Sequence, residues 1–270
     1  MIQFRWVPYV LGIELKKAFS YRLNFWVTFL MGTATELAVA YFLWKSLFAY
    51  SQNAAIEGFS FHGLVFYSLF ASFSSKITRG TDRGYISQDI YDGGLTRFLL
   101  YPLSFFAYKY ITHLTQQLLG FIQLVLALSC LTLAIGLPAE HNLSIGSFAA
   151  GTLTCFIAGY MVFALMSCLE MIAFWQDVIW NLMVMMRFAI SLLGGGMVPL
   201  VFFPEWGQNL VAWTPFPLIV SFPARTFLGQ VNPAEWFWNL MILGLWSIAI
   251  TFVANHIWAR GTRQYSGVGI

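Results

Sequence analysis

Residues 105–137 read FFAYKYITHLTQQLLGFIQLVLALSCLTLAIGL, and no charge interrupts the run from Leu118 to Leu133. A helix needs about 20 predominantly apolar residues to cross the hydrocarbon of a bilayer. A membrane β-strand is shorter, about 10 residues, and alternates in polarity. This stretch is too long and too uniformly apolar for such a strand, and lipid offers no partner for an open strand edge. It therefore reads as a membrane-spanning helix.

The remainder of the chain has the same character. Of 270 residues, 59% are hydrophobic and 9% charged, too few ions to cover the surface of a soluble domain. This composition excludes a soluble enzyme, a disordered chain, a nucleic-acid binder and a disulfide-stapled secreted domain. Six stretches are expected to span: 23–47, 59–76, 105–137, 147–174, 178–200 and 236–258. Eleven of the 14 basic residues fall on one side if both termini are cytoplasmic, a bias that sets the expected orientation. Trp26, Trp44, Trp175, Trp180, Trp236 and Trp258 lie near span ends, as an interfacial aromatic belt requires. The three cysteines Cys130, Cys155 and Cys168 read as small buried hydrophobes. Arg5, Glu14, Lys16 and Lys17 break up the beginning of the chain, so no cleavable signal is expected there.

The chain reads as one all-α polytopic unit over residues 1–270, with three segments set apart. Residues 3–20 are too charged to span. Trp6, Val10, Ile13 and Lys17 follow helical spacing, which suggests an amphipathic helix at the inner interface. Residues 77–102, ITRGTDRGYISQDIYDGGLTRFLLYP, concentrate Arg79, Asp82, Arg83, Asp89, Asp92 and Arg97 on the inner side. Gly84 and the Gly93–Gly94 pair bracket a short helix expected over Tyr85–Tyr91. Such a helix is either a docking surface for another protein or part of a solvated loop. Residues 194–233 hold six of the nine prolines, including Pro199, Pro204, Pro215 and Pro217, with Trp206 between them. One long helix is impossible there, so short re-entrant or interfacial helices at the outer mouth are expected, acting as a gate or as an apolar plug.

Within the spans, Lys109, His113, Gln116, Gln117, Gly120 and Gln123 share one helical face. Polar side chains avoid lipid, so this face should look into the bundle, a hydrated path or a partner. Glu36 lies 14 residues beyond Arg22, about 21 Å along a helix, which would put an isolated carboxylate in the outer half of the bilayer. Arg187 would lie ten residues inside the fifth span. Each is a candidate functional charge, one half of an internal pair, or a side chain that snorkels to an interface. The sequence contains no GxxxxGK[ST] loop, HExxH or GxSxG, and its four histidines lack metal-ligand spacing.

Three segments resemble the membrane subunit of an ABC-2 type ABC exporter, in the branch that includes viologen-exporter-like permeases. They are ELKKAFSYRLNFW (14–26), the DIYDGGLTRFLLYPLSF stretch (89–105) with its GxLxxxLLxPLS pattern, and the late PLVFFP (199–204), PF (215–216) and PARTFLG (223–229) elements. The resemblance implies six spans, a connecting helix over 3–20, a coupling helix within 77–102 and outer re-entrant helices over 194–233. It implies a second permease subunit, identical or related, and two copies of a separate ATPase that carries ATP and Mg2+; this chain itself would bind no cofactor. Docking would involve Asp82, Arg83, Tyr85, Asp89, Asp92 and Gly93. The expected cargo is hydrophobic or amphiphilic, whether drug-like, lipid or glycan, and it would leave the cytoplasm across a bacterial inner membrane. Glu36, His113, Gln116, Gln117 and Gln123 are the candidate pathway residues, and Pro199, Pro204, Trp206, Pro215 and Pro217 the candidate outer gate. Two other readings are a lipid-modifying membrane enzyme using His113 and Glu36, and a scaffold that transports nothing.

Overall fold

A computed structural model describes residues 6–20, 22–51, 55–80, 85–101, 103–136 and 144–265. Among them are helices and loops, with one isolated bridge between Ile56 and Phe59. The helices are α1 (Val7–Ser20), α2 (Arg22–Ser51), α3 (Phe61–Arg79), α4 (Tyr85–Tyr91), α5 (Leu95–Leu100), α6 (Phe105–Ile135) and α7 (Ile145–Glu170). They continue with α8 (Trp180–Leu193), α9 (Glu205–Ala212), α10 (Phe216–Ile219), α11 (Ser221–Phe227) and α12 (Pro233–Gln264). Side-chain caps start the long ones: Ser60, Ser104, Ser144 and Asn232 each accept a first-turn amide, satisfying donors that no helix can pair internally.

Four segments are long and apolar enough to cross a membrane: Phe25–Ser51, Phe105–Ile135, Ile145–Phe174 and Pro233–Gln264. The other two expected spans also coincide with helices, but of a different kind. α3 carries Ser68, Ser72, Ser74, Ser75, Lys76 and Arg79, and it lies at the centre of the bundle against α2, α6, α7 and α11. A helix packed against four neighbours need not be apolar all round. The expected span 178–200 is only the 14-residue α8, about 21 Å long. Gly194–Gly196 end it; Gly195 sits at φ 81°, where a side chain is strained, and its carbonyl accepts the Tyr67 hydroxyl at 3.0 Å. Ser221 N–H donates to the Gly194 carbonyl at 2.9 Å. The glycine turn and α11 are thus fixed to α3 within the protein.

Aromatic packing holds the helices in register. Phe70 of α3 stacks on Phe227 of α11 at 5.0 Å, and Phe227 fits over Gly151 of α7, where a methyl group would lie 2.6 Å from the ring. At the other end, Trp258 of α12 stacks on Phe105 at 5.0 Å and meets Phe174 edge-on. Phe174 in turn fills the space above Gly261, where a methyl group would come within 2.1 Å.

Two sequence expectations are corrected here. Trp44 faces protein rather than lipid: its indole N–H donates to Ser68 Oγ at 2.9 Å and its ring stacks on Phe202 at 5.6 Å. An indole with a partner for its N–H is as well placed inside as at an interface. Cys130 is exposed on α6, while Cys155 and Cys168 are buried; position along an apolar helix does not say which face a residue occupies.

Candidate functional site

The site is built at the end of the bundle where α6, α7 with the turn that follows it, and the end of α12 meet the short helices α4 and α5. α4 spans the seven residues expected for it. Gly93, at φ 73°, makes the turn after it, and Gly94 packs so closely that a methyl group would lie 3.1 Å from Asp89 Oδ1. Ile86 and Ile90 are buried against the bundle, whereas Gln88 and Asp92 are exposed. The helix therefore has one face docked on the protein and one turned away from it.

Three polar connections fasten the docked face. Glu170, the last residue of α7, accepts the backbone N–H of Ile86 at 2.6 Å and that of Ser87 at 3.3 Å through one carboxylate oxygen. These amides belong to the first turn of α4, which has no internal acceptor for them and carries the positive end of the helix dipole. Lys109 of α6 lies 2.5 Å from Asp89, with side chains only 9% and 22% exposed. The same ammonium sits over the rings of Phe98 and Phe105 at 5.3 and 5.4 Å. Tyr91 donates its hydroxyl to the Gln176 carbonyl at 2.9 Å; partial burial, with the Asp177 charge in support, raises its pKa above the usual tyrosine value. α4 is thus held by α6, by α7 and by the linker that follows α7.

Behind α4 lies a cavity of ≈ 40 Å³, room for a few waters, lined by Arg79, Lys109, His113, Glu170 and Arg187. Arg187 also stands over the Trp180 ring at 5.7 Å. It is therefore grouped with the charges at the α4 end rather than isolated. His113 Nε2 lies 3.1 Å from the Gly159 carbonyl, and its ring packs on Gly80.

The polar face of α6 is divided by its packing. Lys109, His113, Gln117 and Gly120 are buried, while Gln116 and Gln123 are half-buried. Gln117 lies against Gly159 so tightly that a methyl group there would fall 1.5 Å from its Nε2, and Gly120 packs on Ile77. These close approaches seal α6 against α7 and α3. Glu36 is elsewhere: it pairs with Lys76 at 2.7 Å and accepts the Ser72 hydroxyl across the α2–α3 contact. Lys76 is three residues from the end of α3, so Glu36 is neither isolated nor in the far half of the bundle. Glu36 and His113 line separate cavities and do not converge on one reaction centre.

The prolines disperse as well. Pro199 and Pro217 line a cleft of ≈ 570 Å³ with Tyr67, Ser221 and Arg225. Pro204 and Pro215 precede α9 and α10, and Trp206 points out of the protein, 73% exposed. Of the docking residues expected from sequence, Asp82 and Arg83 lie outside the described residues, as does the Tyr85 side chain. Asp89 is turned inward to Lys109; only Asp92 of that set is exposed on the free face. Glu170 was not anticipated. Its one sequence signal is an acid at the C-terminal end of an apolar helix, where the dipole disfavours it.

A family model described as ABC-2 family transporter protein matches residues 34–269. The chain belongs to the ABC-2 transporter family. The match runs from the middle of α2 through α12 and so includes α4 and every helix that holds it. A search of curated proteins gives no significant match. The chain is a multi-pass membrane subunit of the ABC-2 permease type, and in this family nucleotide is bound by a partner ATPase. Among its described residues no group of three or more His, Cys, Asp or Glu side chains is arranged to hold a metal.

Proposed function

We propose that this permease is the membrane half of an ATP-driven exporter and that α4 is its coupling helix. Two copies of a separate ATPase grip the exposed face of α4 around Gln88 and Asp92, and two permease subunits, identical or related, pair in the membrane. Both termini and α4 lie in the cytoplasm, as the distribution of Lys and Arg supports. The cargo is hydrophobic or amphiphilic and leaves by alternating access across a bacterial inner membrane.

The observation that carries this reading is the asymmetry of α4. A two-turn helix with one free face and three polar anchors on the other is suited to pass displacement to α6 and α7 rather than absorb it. ATP and Mg2+ on the partner supply the work. Nucleotide binding favours one arrangement of the ATPase pair, and the permease follows to the extent that α4 is held differently in the two states. Within this chain Glu170 and Lys109 are positioning residues, and the opposite end, with α9 to α11 and the ≈ 570 Å³ cleft, forms the outer gate.

The test is affinity purification of the solubilised permease from its native membrane. An ATPase subunit should co-purify, and Gln88→Arg with Asp92→Arg should release it while the melting temperature is unchanged. Undiminished co-purification with the doubly substituted chain would remove α4 from the docking role.

A further inference from the structure

A second polar cleft, of ≈ 470 Å³, runs between α2 and α3. One wall belongs to α3, where Ser68, Ser72, Ser75, Lys76 and Arg79 recur at helical spacing. The other wall is α2, polar at Thr35 and Glu36 and apolar from Val39 to Trp44, and the rim residues Val39, Leu43 and Met197 are 62%, 51% and 54% exposed. The polar face of α6 stands out in the sequence; the serine ladder of α3 is spread too thinly among Phe and Leu to do so.

The chemistry of the cleft is lopsided. Its charges are Lys76 and Arg79 against the one carboxylate of Glu36, and that carboxylate is engaged by Lys76 and Ser72. Ser75 is 4% exposed, and its buried hydroxyl has no hydrogen-bond partner among the described residues, a rare state for a buried polar atom. Hydroxyl donors beside two cations fit an anion, since hydrogen bonds to charged acceptors are the strong ones. A cationic head would meet a net positive wall. An exposed apolar rim beside the charges fits a hydrocarbon chain.

We propose that this cleft binds an anionic amphiphile, its phosphate or carboxylate head on Lys76, Arg79 and Ser75 and its chain along Val39, Leu43 and Met197. The proposal rests on the permease reading and adds to it a place where cargo is taken up. Glu36 competes with the incoming anion for Lys76 and so sets how tightly it is held.

The test is calorimetric titration of the full-length permease in neutral maltoside detergent, with dodecyl phosphate and dodecyltrimethylammonium as probes. Dodecyl phosphate should bind, and the cationic probe at least about tenfold more weakly. K76Q and R79Q should each weaken dodecyl phosphate by about tenfold, the loss of one charge-assisted contact. K76R should retain most of the affinity and E36Q should increase it. Competition by phosphatidylglycerol with the same dependence on Lys76 would identify a bilayer lipid as occupant, and its failure to compete a single-chain amphiphile; both uphold the head-group assignment. Equal affinity for the two probes, or unchanged affinity in a folded K76Q chain, would overturn it. No ATPase is needed, so a negative result here leaves docking at α4 standing, and loss of the docking assignment leaves this binding measurement intact.

Discussion

The carboxylate of Glu170, at the last residue of α7, accepts the amide of Ile86 at 2.6 Å, so the end of one long helix caps the start of another 84 positions earlier in the chain. Each partner is poorly placed alone. An acid opposes the dipole at the end of α7, and the first-turn amides of α4 lack acceptors; together they satisfy one another.

Removing this cap should loosen α4 before it unfolds the bundle. Glu170→Gln keeps the shape and weakens the acceptor, at a cost of about 1–2 kcal/mol. Hydrogen exchange over residues 85–91 should then be faster by about tenfold or more, with exchange in the middle of α6 unchanged. Equal acceleration in both helices would mean that Glu170 supports the whole fold rather than α4.

The Lys109–Asp89 pair is largely buried, and its two single deletions should be worse than the double one. Lys109→Met or Asp89→Leu alone leaves a poorly solvated charge and should cost roughly 3 kcal/mol, whereas the combined substitution should cost much less than the sum. Melting temperatures of the three variants in detergent form the cycle. Strict additivity would show that the two groups do not interact.

Glycines at close approaches separate tight packing from loose. Gly151→Ala puts a methyl group 2.6 Å from the Phe227 ring and should destabilise by about 1–3 kcal/mol, with partial rescue by Phe227→Leu. Gly244, in α12, has nothing within 4 Å of an added methyl group, so Gly244→Ala should be neutral or stabilising. The difference between the two melting temperatures measures the α7–α11 contact directly.

Much of the fold was legible because lipid imposes a length and a polarity that α2, α6, α7 and α12 obey residue by residue. The seven residues of α4 were legible from the glycines around them. The end of α8 was not, because the residues after Gly194–Gly196 stay apolar up to Phe203 and an apolar run alone does not say where its helix stops. Nor were the partners of Glu36 and Glu170. Which carboxylate meets which cation or amide depends on how far one helix slides past its neighbour, and periodicity within a single helix carries no information about that offset. The polar face on α6 was recognised, but its sealing by Gly159 and Gly120 depends on the opposing surface. The open polar cleft beside α3 escaped notice because its hydroxyls are weakly polar and widely spaced.

What touches the free face of α4 decides whether it is the docking helix. A photo-crosslinking residue placed at Gln88 in the full-length permease, activated in native membranes, should join the chain to a soluble ATPase subunit. Placed instead at Leu133, near the far end of α6, it should not. Crosslinks from position 88 that capture only lipid or another copy of the permease, with no ATPase, would contradict the assignment.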